Sequence, residues 1–110
     1  MRRYMETEVI HCKDIAGIRA AGDRYIYVGR PTKWGNPFSH RYNTKAIHKT
    51  DTREEAVSKY EEYLIKNKDL VHSLIELKGK VLGCWCSPKL CHAQILAKHA
   101  DMIEEHLANE

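Results

Sequence analysis

The chain has 110 residues, 43% of them hydrophobic and 30% charged, with a formal net charge of +3. That length suits one domain with a modest core, and the composition excludes a disordered or collagen-like chain. It has no apolar run near the ~18 residues of a membrane span, and Met1 to Glu8 lacks the apolar stretch of a secretory signal, so a cytoplasmic protein with reduced thiols is expected.

Glu8 to Cys12 reads as a short first strand, followed by a weak helix or turn over Ile15 to Ala21 that Gly22-Asp23 ends. Arg24 to Val28 is a better strand, rich in aromatic and β-branched residues and closed by Gly29. Residues 29–50 read as a loop, punctuated by Pro31, Gly35, Asn36 and Pro37. A loop of ~20 residues in a compact domain is unusual and is often functional.

Charge sharpens that point. Residues 1–53 hold 11 Lys/Arg against 5 Asp/Glu, whereas residues 54–110 hold 7 against 10. From Arg24 to Thr50 there is no acidic residue, and five of the nine aromatics lie there: Tyr25, Tyr27, Trp34, Phe38 and Tyr42. Basic groups interleaved with aromatics suit a ligand with phosphates and flat rings; a solvated basic surface over core aromatics is the plainer alternative. Within the loop, Arg30 can contact a phosphate in bidentate fashion, with Lys33 beside it. The turn at Gly35-Asn36-Pro37 can aim backbone N–H groups at an anion, and Trp34 can stack on a base or plug the core.

Helix signals follow. Thr52 and Glu55 have the spacing of a capping box, and Ala56, Val57, Tyr60, Tyr63 and Leu64 recur at helical spacing. A second helix is predicted over 69–77, with Leu70, Val71, Leu74 and Ile75 inward and Gly79 ending it. Lys80 to Cys86 reads as a buried strand. Ser87 can cap a last helix with Pro88 in its first position, and Ala93, Leu96, Ala97, Ala100, Ile103 and Leu107 form its apolar face. Together these predict a single α/β domain spanning 1–110, a small sheet from segments near 8–12, 24–28 and 80–86 with helices packed on it. If parallel, strands 24–28 and 80–86 send their loops to one edge, where ligands of open α/β sheets bind.

Three of the four cysteines, Cys84, Cys86 and Cys91, fall within eight residues and run directly into His92. In a reducing compartment this reads as metal-binding or catalytic. Residues two apart on a strand share a face, so Cys84 and Cys86 point one way and Trp85 the other. One reading is a zinc site with Cys84, Cys86, Cys91 and His92 as ligands, although adjacent helical residues 91 and 92 diverge by ~100°. Another is a reactive thiolate, Cys91 being favoured by the helix N-terminus and His92 serving as proton shuttle. Haem attachment fails on spacing, and two small buried cysteines on a core strand are the bland alternative. His11 or Cys12 is a further ligand candidate.

The segments Tyr27-Val28-Gly29-Arg30, Lys33-Trp34-Gly35-Asn36-Pro37-Phe38 and Gly79 to His92, with the helix Arg53 to Leu64 between them, resemble an uncharacterised domain family of bacteria and bacteriophages over roughly residues 24–100. The resemblance implies that the loop and the cysteine segment form one recurrent site. It also marks a departure: the family follows Cys-His with Gly-Asp, where this chain has Ala93-Gln94, and Gln94 cannot act as a base. Two functions are expected from these residues. One is a small enzyme acting on a nucleotide or related phosphate-bearing ligand, with Cys91 and His92 catalytic and Arg30, Lys33, Trp34 and Asn36 binding the ligand. The other is a zinc-stabilised, non-catalytic module that binds nucleic acid or protein.

Overall fold

The computed structural model describes residues 6–39, 48–49, 52–86 and 89–108, with backbone alone at 38–39 and 48–49. Strand β1 (Glu8–His11) leads into α1 (Ile15–Ala21), a 3-10 turn (Gly22–Arg24) and β2 (Tyr25–Tyr27). Two short strands, β3 (Phe38–Ser39) and β4 (His48–Lys49), pair in parallel within the segment expected to be all loop. Then come α2 (Arg53–Lys66), α3 (Lys68–Ser73), a 3-10 turn (Leu74–Glu76), β5 (Val81–Cys84), α4 (His92–Asp101) and α5 (Ile103–Ala108). This is the expected α/β domain: a three-stranded sheet in the order β1-β5-β2, parallel throughout.

β5 is the central strand, paired on both edges, and all four of its residues are buried, unlike those of β1 and β2. The register sets Val81 beside Glu8 and Tyr25, and Gly83 beside Ile10 and Tyr27. Tyr25 lays its ring over Gly83, leaving no space for a Cβ. The opposite face, through Leu82 and Cys84, joins the core of Val28, Tyr60, Leu64, Leu74, Leu77, Leu96 and Ile103. Several of these side chains are wholly inaccessible, and burying each stabilises the fold by roughly 1.5–3 kcal/mol.

The helix caps explain the boundaries. Thr52 accepts the N–H of Glu55 at 3.0 Å, as the capping spacing requires. Asn67 ends α2 and caps α3, accepting from Leu70 N–H. Gly79 adopts a positive φ of 75° and releases the chain into β5. Three expectations are corrected. The last helix starts at His92 with Cys91 as N-cap, so Ser87 does not cap it; Ser87 and Pro88 lie outside the described residues. It also breaks at Met102 into two helices, leaving Leu107 half-exposed beyond the apolar stripe. Ile75 points outward because the chain tightens into a 3-10 turn at Leu74, which rotates residue 75 off the buried face. Among the described residues no helix is long and apolar enough to cross a membrane.

α2, α4 and α5 are joined by a polar cluster. His99, nearly buried, meets Glu61 through Nε2 at 2.6 Å and His106 through Nδ1 at 2.8 Å, while Lys98 pairs with Glu61 at 2.6 Å. Burial, then the neighbouring His99, holds His106 below its ordinary value of 6.5. Hydrogen bonds from Lys98 and then His99 hold Glu61 below 4.5. A depressed histidine binds its proton more tightly in the unfolded chain, so its stabilisation is full above pH 6.5 and falls as pH drops toward the folded value. Glu61 adds a loss of the same sign below pH 4.5. Buried His92 is depressed too, by desolvation. His106→Ala should therefore flatten, without abolishing, the fall in urea-unfolding free energy between pH 7 and pH 5.5. An unchanged slope would show that His106 is not coupled to folding.

Candidate functional site

β2 and β5 are parallel neighbours, so the chain leaves both at the same sheet edge. The loop after β2 is shaped by the residues that follow it. Thr32 Oγ1 donates to Gly29 O at 2.6 Å, and Gly35 N donates to Thr32 O at 3.0 Å, folding residues 29–35 back on themselves. Gly35 serves by close approach: a Cβ there would stand 2.7 Å from Arg30 Cγ and 3.1 Å from its Cα. Two buried side chains hold the loop's ends. His92 Nε2 donates to Val28 O at 2.8 Å, and Tyr60 Oη donates to Trp34 O at 2.7 Å. The His92 and Tyr60 rings meet edge to face at 5.1 Å.

The cysteine segment comes to this edge from β5. Cys91 shares thiol hydrogen bonds with both Cys84 and Cys86. Cys84 and Cys91 are buried, and Cys86 is half-exposed. Cys91 is the thiolate expected from the sequence, and its thiol is instead pushed up by hydrogen bonding to Cys84 and then Cys86 and by burial, together outweighing the helix end. The low thiol is Cys86, brought down to about 5 by the Cys91 hydrogen bond and then by Arg53, against the opposing pull of burial. Arg53, the first residue of α2, also donates to Leu90 O at 3.4 Å. His92 turns Nδ1 to Cys91 Sγ at 3.4 Å. Cys12 stands at the end of β1 beside Cys84, its N–H donating to Cys84 O at 2.9 Å; burial and then the Cys84 charge raise its thiol.

The loop residues divide. Arg30 is exposed, and its charge acts on the His92 ring. Lys33 is engaged elsewhere, in an ion pair with Glu76 at 2.9 Å and over the Trp34 ring at 5.2 Å. Trp34 is 3% exposed and packs in the core, which closes its faces to a stacking ligand. Asn36 Nδ2 donates to Ala56 O at 3.4 Å and moors the loop to α2. The ligand wall expected from four loop residues thus reduces to Arg30, with Arg53 as the second cation. Position 53 carries no sequence signal beyond being a helix start, so pattern reading passes over it. Among the described residues no three His, Cys, Asp or Glu side chains are arranged to hold a metal ion. A groove of about 700 Å³ at the α2–α3 junction, lined by Lys59, Glu62, Tyr63, Lys66 and Asp69, is at the far end of α2 from Arg53 and mixes both charges.

Comparison with known proteins bears on both segments. Residues 10–102 match the family described as Domain of unknown function (DUF4326). The chain is similar to Uncharacterized protein R718 of Acanthamoeba polyphaga mimivirus, 30% identical over 92 residues that cover 74% of this chain and 70% of the relative. No solved structure matches the chain. The matched span runs from β1 through the arginine loop and the thiol cluster to the end of α4, and on that match the chain belongs to the DUF4326 domain family.

Proposed function

We propose that this protein is a small enzyme acting on a nucleotide or related phosphate-bearing ligand, with Cys86 as its nucleophile. One observation carries the reading: the half-exposed Cys86 thiol sits between the Cys91 thiol and the Arg53 guanidinium, at the sheet edge where Arg30 also stands. A thiol held between a donor and a cation is the arrangement that activates cysteine. The Arg53 guanidinium at the thiol, and the exposed Arg30 whose charge reaches the adjacent His92 ring, suit a phosphate. In this reading Cys91 is a positioning residue, and His92 holds the loop. A saturating phosphate-bearing ligand should therefore shield Cys86. Inorganic phosphate and adenosine 5′-monophosphate at millimolar concentration are expected to slow alkylation of Cys86 about fivefold or more, and Arg30→Ala should weaken that protection. Equal alkylation rates with and without both ligands would overturn the reading.

A second reading, a zinc-stabilised module, is favoured by the orientation of His92. Its Nε2–H is committed to Val28 O, which leaves Nδ1 facing the thiols, the outer partnership that zinc-bound histidines use. Cys91 is extended, with φ −152° and ψ 155°, so the helical divergence expected between residues 91 and 92 does not apply. The thiols would have to give up their protons to take the ion. Elemental analysis of protein purified without chelator decides: about one equivalent of zinc, lost in Cys84→Ser together with stability, supports the module, and a trace amount removes it.

A further inference from the structure

We propose that Trp85 is a stacking platform for the base of a nucleotide, and that Lys13 and Arg30 neutralise the phosphate of the same ligand. This rests on the reading of the site as one for a phosphate-bearing ligand and adds the base. The sequence favoured Trp34 for this role, and Trp34 is buried. Trp85 is the reverse case, 56% exposed although it is the largest kind of side chain and lies between two cysteines of the site. It stands one residue past the end of β5, where the strand has given way to a bend.

Its orientation is fixed without burial. The indole Nε1–H donates to Tyr27 Oη at 3.0 Å, and Tyr27 Oη donates in turn to Arg30 O at 3.0 Å. Two hydrogen bonds therefore tie the exposed ring to the arginine loop. The His11 ring meets it edge-on at 5.9 Å and 81°. Lys13 Nζ lies 5.0 Å from the ring centroid, held by the π face. A rigid aromatic surface with its polar atom already satisfied can accept any base, because every base has a π face. Lys13 is a flexible cation next to that surface, free to turn to a phosphate once a base takes its place on the ring. With Arg30 one short loop away, the pair complements a nucleotide in charge as well as in shape.

The test is calorimetric titration of the intact protein. Wild type should bind adenosine 5′-monophosphate and bind ribose 5-phosphate, which lacks a base, about tenfold more weakly. Trp85→Ala should lose about tenfold in affinity for the nucleotide and nothing for ribose 5-phosphate, while Trp85→Phe, which restores a π face, should recover most of the loss. Far-ultraviolet circular dichroism of Trp85→Ala should match wild type, as an exposed side chain predicts. An eight-residue deoxyadenosine oligonucleotide separates the sources of the base. Tighter binding with steep salt dependence points to a single strand, and equal binding points to a free nucleotide; both support the platform. Unchanged nucleotide affinity in Trp85→Ala overturns it, as does absence of nucleotide binding to wild type. Phosphate protection of Cys86 that survives either result leaves the thiol site standing without the base.

Discussion

At pH 5.5, in chelator-treated protein, Cys86 is expected to be alkylated by iodoacetamide at least about tenfold faster than Cys12, and that advantage should shrink toward pH 8.5. The reason is a balance of two effects. A thiol with the ordinary value of 9.0 is ionised to roughly one part in three thousand at pH 5.5, and Cys12 is raised above that value. Cys86, at about 5, is mostly thiolate there. Thiolates of lower pKa are intrinsically weaker nucleophiles, and the ~4-unit difference offsets the gain by about 50-fold on a Brønsted slope of 0.4–0.5. The ionisation term is larger by more than tenfold at acid pH, and the offset dominates once both thiols are ionised. Mass spectrometry of quenched samples locates the label. The partners of Cys86 should rank by cause. Cys91→Ala removes the largest stabilisation of the thiolate, Arg53→Ala the next, and each should raise the midpoint of the pH–rate profile by roughly one unit or more. Cys91→Ser keeps a donor and should fall between wild type and Cys91→Ala. A midpoint near 9 for Cys86 that ignores Arg53→Ala would remove the activated thiol from the site.

Local signals in this chain are legible where they are self-contained. The Thr52–Glu55 spacing, Gly79 after a helical stretch and the all-apolar run at Val81-Leu82 each specify an element from its own residues, and each is found in place. A small sheet has few positions, so the proximity of β2 and β5 is legible in the sequence, whereas their direct, parallel pairing is seen only in the fold. What the sequence does not carry is which side chain meets which across the fold. Trp34 and Trp85 are the same residue type in similar loop-edge contexts, and only packing separates the buried one from the exposed one. Cys91 has the helix-end position that lowers a thiol, and two other sulfurs reverse the outcome. Arg53 is 33 residues from Cys86 in the chain, so its influence appears only when the start of α2 is brought to the segment between β5 and α4, where Arg53 also reaches Leu90 O.

Removal of the His92 side chain should be the most destabilising change at the site. His92 fills a position only 9% exposed, and its Nε2–H is the partner of Val28 O, itself in a wholly buried residue. His92→Ala leaves a cavity and an unsatisfied buried carbonyl, together costing about 3 kcal/mol. At about 4–8 °C per kcal/mol for a domain of this size, the melting temperature should fall by more than about 10 °C. Tyr60→Phe keeps the ring and removes only the hydroxyl that donates to Trp34 O, so about 1–3 kcal/mol is expected. The two rings touch, and the two hydrogen bonds hold opposite ends of one loop. Once either end is released, the other holds less, so the double variant should lose less than the sum of the single losses by about 0.5 kcal/mol or more. The same release should reach the ligand site, because Arg30 is carried between the two moored carbonyls. In Tyr60→Phe, a red shift of Trp34 emission should therefore accompany weaker phosphate protection of Cys86. Strict additivity with unshifted emission would mean that the loop is held by its own backbone turns, Thr32 on Gly29 and Gly35 on Thr32, and that Tyr60 and His92 stabilise the core alone.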